Sequence, residues 1–251
     1  MRRPLVVRLR NWIGDVILSV PTLQRLEREG HELHLIGRGW AGDLLEGFGW
    51  KVHKTPKGRL EHIRLIRRLR AELGPDTPAL TFPYAFSSAL EFRLGGLPAV
   101  GFRTQQRSWL LKRAVERPEG VHTLDEYWAL GQAFLGGPAA PAPAAVEWRL
   151  APRHVAEADR LVRDHALPEG FVLACPFASE LNTGESKHWP RFAEFLQALI
   201  RETGRTVVLC PGPGGETEVA RRDYPMARTL EGVGMGAYAA LIARSALVVS
   251  N

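Results

Sequence analysis

The chain has 251 residues, 45% hydrophobic and 24% charged, enough to bury a sizeable core as one large domain or two small ones. No stretch approaches the ~20 apolar residues that cross a bilayer, and the apolar run near the N-terminus is too short and too charged for a signal peptide. A cytoplasmic location is therefore expected. The formal charge is +6 and unevenly spread: residues 1–136 carry 21 Lys and Arg against 14 Asp and Glu, and residues 137–251 carry 12 against 13. The excess in the first half points to an anionic partner there, such as a phosphorylated substrate, an anionic membrane surface or nucleic acid.

In chain order, a buried strand near Leu5–Leu9 runs into "RNWIGDVILSVPTLQRL", Arg10 to Leu26. This reads as a tight turn and an amphipathic helix, Asp15–Glu29. Asp15 has two readings. It can cap the helix, because a carboxylate near an N-terminus accepts backbone N–H bonds and favours the dipole. It can also sit at the mouth of a cleft and take a proton from a hydroxyl. The sequence alone does not choose, although Gly14 permits another group to approach closely. "HELHLI" reads as a strand with His31 and His34 on one side, without the further ligands a metal would need.

Strands are predicted near Glu32–Ile36, Lys51–His53, Ala79–Phe82 and Ala99–Gly101, with helices near Leu60–Leu73, Phe86–Leu94 and Thr123–Phe134. In "GRLEHIRLIRRLRAEL", Ile63, Ile66, Leu69 and Leu73 share one helical face and Arg64, Arg67 and Arg68 the other, the pattern of a packed helix with a solvated outer side. The loop "GFRTQQRSWLLKR" brings Arg103, Arg107, Lys112 and Arg113 just past a strand end, where arginines can meet an anion.

"GGPAAPAPAA", Gly136 to Ala145, is uncharged and reads as a linker. The expected domains are 1–136 and 146–251, joined by 137–145. After the linker, strands are expected at Phe171–Cys175, Thr206–Cys210 and Ala246–Ser250. Helices are expected at Arg153–His165, Pro190–Glu202, Glu216–Asp223 and Gly236–Arg244. The alternation implies an α/β fold of two doubly wound parallel sheets facing a cleft, with ligands at the carboxyl ends of the strands. The chain stops at "ALVVSN", on a central-type strand, so the second half is expected to be a truncated domain.

Three stretches of the second half bear on chemistry. In "CPFASELNTGESKHWPRF", the hydroxyls and Lys187 lie between a strand end and a helix N-terminus, which fits an anion site or a plain polar loop. In "VVLCPGPGGETEVARR", Gly212, Gly214 and Gly215 form a glycine-rich turn whose spacing matches neither common phosphate-loop pattern. Glu216 can accept from ribose hydroxyls or simply charge the helix start. Cys175 and Cys210 each end an apolar run and read as small buried residues; no metal site and no disulfide is expected.

Four pieces, in this order, resemble glycosyltransferase family 9, the bacterial heptosyltransferases: "WIGDVILSVPTLQRL", "FPYAFSSALEFRLGGLPAVGFR", "KHWPRFAEFLQAL" and "LEGVGMGAYAALIARSALVVSN". The resemblance implies a GT-B-like architecture and inverting, metal-independent transfer of heptose from ADP-heptose to the inner core of lipopolysaccharide. No bound cofactor is implied. The partners implied are the ADP-sugar donor and an anionic glycolipid acceptor, with peripheral contact at the cytoplasmic face of the inner membrane and no nucleic acid. By the same resemblance, Asp15 is the general base on the acceptor and Lys187 stabilises the departing diphosphate. Ser179, Gly212, Gly214 and Glu216 line the nucleotide-sugar site, and Asn11, Ser87, Arg103 and Arg107 the acceptor site. The family continues past the last strand with a further phosphate-binding motif. The alternative is therefore a catalytically incomplete nucleotide- or glycan-binding fragment. A nucleic-acid binder, suggested by the charge, lacks a recognisable motif.

Overall fold

The computed structural model describes residues 2–137, 140–177 and 188–251. The chain divides into two compact units, Met1–Arg149 and Leu150–Asn251. The boundary lies beyond the Pro/Ala-rich stretch because the residues after that stretch dock on the first unit. Val146 and Trp148 pack against its core, and Gln24 donates to the Glu147 carbonyl at 3.0 Å.

The first unit runs β1 (Arg3–Arg8), α1 (Ile13–Arg28), β2 (His31–Gly37), α2 (Gly39–Leu44), β3 (Lys51–Lys54), α3 (Arg59–Leu73), β4 (Ala79–Thr81), α4 (Phe86–Leu94), β5 (Val100–Phe102), β6 (Arg113–Val115) and α5 (Thr123–Leu135). Its six strands are parallel in the order β3-β2-β1-β4-β5-β6. The period-two alternation of β1 explains the two cores. Leu5, Val7 and Leu9 enter the layer that also holds Val16, Val20, Leu23, Tyr127 and Leu130, while Val6 enters the opposite layer with Leu65, Ile66, Leu69 and Phe92. The order reverses between β1 and β4. In open parallel sheets that reversal opens a crevice at the carboxyl ends of the two strands.

The second unit runs α6 (Pro152–Asp164), β7 (Val172–Cys175), α7 (Phe192–Thr203), β8 (Val207–Leu209), α8 (Glu216–Asp223), β9 (Arg228–Thr229), α9 (Met235–Arg244) and β10 (Leu247–Ser250). Its strands are parallel in the order β10-β7-β8-β9, with the reversal between β7 and β10. The sequence reading missed α2, β6 and β9, which are six residues or shorter and too brief to show a period.

One expectation needs correcting. His31 and His34 do not share a face, since residues three apart on a strand point to opposite sides. His31 meets Phe134 edge-on at 5.5 Å, whereas His34 stacks on His53 of β3, with Nδ1 and Nε2 3.2 Å apart. Cys175 and Cys210 are free and partly buried. Burial pushes the Cys210 thiol up to about 12, so it is an unreactive thiol at neutral pH. Among the described residues, no helix is long and apolar enough to cross a membrane.

Two outcomes follow from this packing. A Cβ on Gly131 of α5 would lie 2.4 Å from Thr22 Cγ2 of α1. Alanine normally helps a helix interior, but here Gly131→Ala should cost about 1–3 kcal/mol in urea unfolding, and Thr22→Ala should restore most of it. Burial also holds His31, His34 and His53 below the ordinary histidine value of 6.5. Their neutral forms fit the fold, so the unfolded chain takes up protons first. The stability they contribute is complete above pH ~6.5 and is lost as the pH falls below it, which thermal melts between pH 7.5 and 5 will show.

Candidate active site

Asp15 is the third residue of α1, which follows β1 after a short loop. The residue in the capping position is Trp12, which makes no side-chain cap bond. The Asp15 carboxylate faces the sheet end instead. Tyr127 Oη donates to its Oδ1, and Arg10 Nε lies 3.4 Å from the same oxygen. Tyr127 is fully buried on the face of α5 that packs on α1, with its ring edge-on to Phe82 at 5.0 Å. Burial first, and then the bond to Asp15, raise the Tyr127 hydroxyl far above the ordinary tyrosine value, so it remains a donor.

Arg10 belongs to a second group of side chains. Its guanidinium lies 4.3 Å from the centroid of the Tyr84 ring, and that of Arg117 lies 4.5 Å from it. Tyr84 Oη donates to Glu126 Oε2 at 2.5 Å. Arg117 clamps the same carboxylate with two bonds, Nε to Oε2 at 2.9 Å and Nη2 to Oε1 at 2.8 Å. Burial alone would raise the Glu126 carboxyl, but the bonds from Arg117 and Tyr84 outweigh it and hold the group below the usual Glu value. Burial and the Glu126 bond push the Tyr84 hydroxyl up to about 12. Both tyrosines are therefore neutral donors, Tyr84 to Glu126 and Tyr127 to Asp15.

The same loop lines a cavity of about 630 Å³ through Asn11, at the carboxyl ends of β1, β2 and β3. Its other polar walls are Arg8, Arg38, Lys54, Lys57 and His62. Arg8 is buried because the alternation of β1 turns it toward α3 and α4. There its Nη2 sits 3.5 Å from His62 Nδ1, itself 2.8 Å from Glu91 Oε2. Burial lowers Arg8 from the ordinary arginine value, Glu91 opposes that, and Arg38 adds to it. Four cations around one open volume favour an anion inside it.

The acceptor-side candidates separate. Asn11 is exposed and lines the cavity. Ser87 is half-buried in the first turn of α4. Arg103 forms an exposed ion pair with Glu116 at 2.7 Å. Arg107 corrects the sequence expectation: it is completely buried, with Nε donating to Phe102 O (3.1 Å) and Nη1 to Pro83 O (2.7 Å), Ala85 O (2.9 Å) and Ser88 Oγ (3.0 Å), while Nη2 has no hydrogen-bond partner among the described residues. It holds the loop after β4 that carries Tyr84, and it does not face an acceptor. Beside it, Gln105 takes a left-handed φ of 48° and accepts from the Phe86 N–H at 2.7 Å, closing the start of α4.

In the second unit, Ser179 and Lys187 lie outside the described residues. Gly212 donates its N–H to Glu216 Oε2 at 2.6 Å, so this carboxylate folds the glycine-rich turn after β8. Gly214 has φ of 94°, a conformation that glycine alone adopts without strain. At the end of β7, Tyr238 Oη lies 2.5 Å from Cys175 Sγ. Asn251 accepts from the Trp189 N–H at 2.9 Å and donates to the Pro176 carbonyl, tying the ends of β7 and β10 together.

Sequence reading did not find Arg10, Tyr84, Arg117, Glu126 and Tyr127 as a group, nor the Arg8–Arg38–Lys54–Lys57–His62 cavity. The available signal was an arginine ending an otherwise apolar strand and an adjacent Glu-Tyr pair in the first turn of α5.

Two doubly wound parallel-sheet units, one carrying a carboxylate after its first strand and a cation-lined cavity at the ends of β1, β2 and β3, have the architecture of a GT-B-like glycosyltransferase. The chain belongs to glycosyltransferase family 9 (heptosyltransferase), whose model matches residues 63–251. Among solved structures it is similar to a family 9 glycosyl transferase from Veillonella parvula, at 16% identity and TM-score 0.79, covering 99% of this chain and 75% of that one. It is also similar to ADP-heptose lps heptosyltransferase II from E. coli, at 22% identity and TM-score 0.74, covering 100% and 79%. A third is the E. coli heptosyltransferase WaaC with ADP-2-deoxy-2-fluoro heptose, at 16% identity and TM-score 0.72, covering 98% and 82%. No curated protein sequence gives a significant match.

The two arginines of the loop after β5 give a direct contrast. Arg107→Met removes the buried donor that ties together three carbonyls and a hydroxyl and should cost roughly 3–5 kcal/mol in urea unfolding, while Arg103→Ala removes an exposed pair worth about 0–1 kcal/mol.

Proposed function

We propose that this protein moves a heptose from ADP-heptose to an anionic glycolipid, the inner core of lipopolysaccharide, with inversion at the anomeric carbon. Asp15 acts as general base. The acceptor hydroxyl oxygen forms a bond to the anomeric carbon, its proton passes to Asp15, and the bond from that carbon to the diphosphate oxygen breaks to release ADP. The observation that carries this reading is the Asp15 carboxylate, turned away from capping its helix at the reversal of the first sheet.

The cavity of Arg8, Arg38, Lys54 and Lys57 is the proposed seat of the acceptor's phosphate or carboxylate groups, with Asn11 at its rim and Ser87 and Arg103 farther along the acceptor surface. The second unit is the proposed nucleotide-sugar site, with Lys187 neutralising the departing diphosphate and Ser179, Gly212, Gly214 and Glu216 around the nucleotide. Lys187 supplies the positive charge on the leaving group, so the reading invokes no metal. Two similar structures are of E. coli heptosyltransferase WaaC with ADP and with ADP-2-deoxy-2-fluoro heptose, which supports an ADP-linked donor. The basic first half suits work on the cytoplasmic face of the inner membrane, beside anionic lipid.

Asp15→Asn tests the mechanism. Transfer from ADP-heptose should fall by about 10²–10⁴ while ADP binding by titration calorimetry stays as in the wild type. Wild-type turnover in this variant removes Asp15 from the reaction.

A further inference from the structure

We infer that Tyr127 is a positioning residue which, together with Arg10, occupies Oδ1 of Asp15 and reserves Oδ2 as the atom that takes the acceptor's proton. This rests on the assignment of Asp15 as the base. A carboxylate offers about four acceptor sites on two oxygens. Both polar contacts described for Asp15 converge on one of them, with Tyr127 Oη donating to Oδ1 and Arg10 Nε 3.4 Å from it. One hydrogen bond, from Tyr127, and one ion pair, with Arg10, on the same oxygen hold the carboxylate in place and leave the other oxygen for the acceptor.

Each partner of Asp15 is itself held. The Tyr127 ring is fully buried between α5, α1 and Phe82, and its hydroxyl stays protonated because burial disfavours the phenolate. Arg10 rests on the Tyr84 ring, and Tyr84 is anchored through its hydroxyl to Glu126, which Arg117 clamps from the other side. The Tyr84 backbone carbonyl accepts from Thr104 Oγ1 at 2.8 Å, and the loop that carries Tyr84 is pinned by Arg107. The supports of Asp15 thus come from the ends of β1, β4, β5 and β6 and from the first turns of α5. A general base works only within hydrogen-bond reach of its proton, and an ångström of misplacement costs on the order of a hundredfold.

Tyr127→Phe removes one oxygen and leaves the ring in its pocket. The variant is assayed with both substrates beside Asp15→Asn, and rates are normalised to the acceptor-binding stoichiometry from calorimetry, which counts molecules with an intact first unit. The inference expects kcat per acceptor-binding site to fall about 10- to 100-fold, with KM for donor and acceptor within about twofold of wild type. A merely structural role lowers the fraction of competent molecules and leaves normalised kcat unchanged. That outcome, or a change confined to KM, overturns the inference. If Asp15→Asn turns over normally, the assignment of the base is what has failed. If Asp15→Asn is inactive and Tyr127→Phe has wild-type normalised kcat, only the positioning role has failed.

Discussion

The packing of α5 on α1 is the constraint from which the candidate site follows. Gly131 leaves no Cβ in the way of Thr22, so the two helices approach closely, and a few residues earlier the same face of α5 delivers the Tyr127 hydroxyl to Asp15. A bulkier residue at the contact would move the helices apart and take the donor from the carboxylate. The site is therefore built on a helix–helix contact and not on loop conformation, which suits a group whose position must be held within tenths of an ångström.

Buried charge is managed in two ways around this point. Glu126 and Arg117 form a complete pair: the carboxylate receives two guanidinium bonds and a tyrosine hydroxyl, so burial is compensated locally. The cavity beside β1, β2 and β3 keeps an excess of cations. Arg8, Arg38, Lys54 and Lys57 surround it, and Glu91, bonded to His62, offsets the charge of Arg8 in part. A structural network tends toward neutrality, whereas a binding site keeps an excess of one sign for its ligand to complete. The basic surplus of the first half, visible as a sum over 136 residues, has here a definite place.

The second unit repeats the design with other parts. Its sheet reverses between β7 and β10, and Asn251 bridges the two strand ends at that reversal. Glu216 shapes the glycine-rich turn through the Gly212 N–H, so the carboxylate read from sequence as a ribose contact is first a support for the backbone of that turn. The two roles are compatible, because one oxygen of a carboxylate can serve each.

The alternation of strands and helices, the parallel sheets and the placement of Asp15 after the first strand were all legible in the sequence, because burial leaves a local periodic trace and a βα turn has a local chemistry. Short elements such as β6 and β9 left none. The partners of a polar side chain are a different matter. Asp15 and Tyr127 stand 112 residues apart, and nothing near either residue announces the other. Arg107, grouped by sequence with the surface arginines of its loop, is the one among the acceptor-side candidates that the fold buries completely, since backbone carbonyls of the neighbouring loop converge on it from 22 and 24 residues away. Periodicity fixes which face of an element is buried. Which polar groups meet there is decided when distant strands take their order in the sheet, and for this protein that order brings Tyr127 and Arg10 onto a cap-like aspartate.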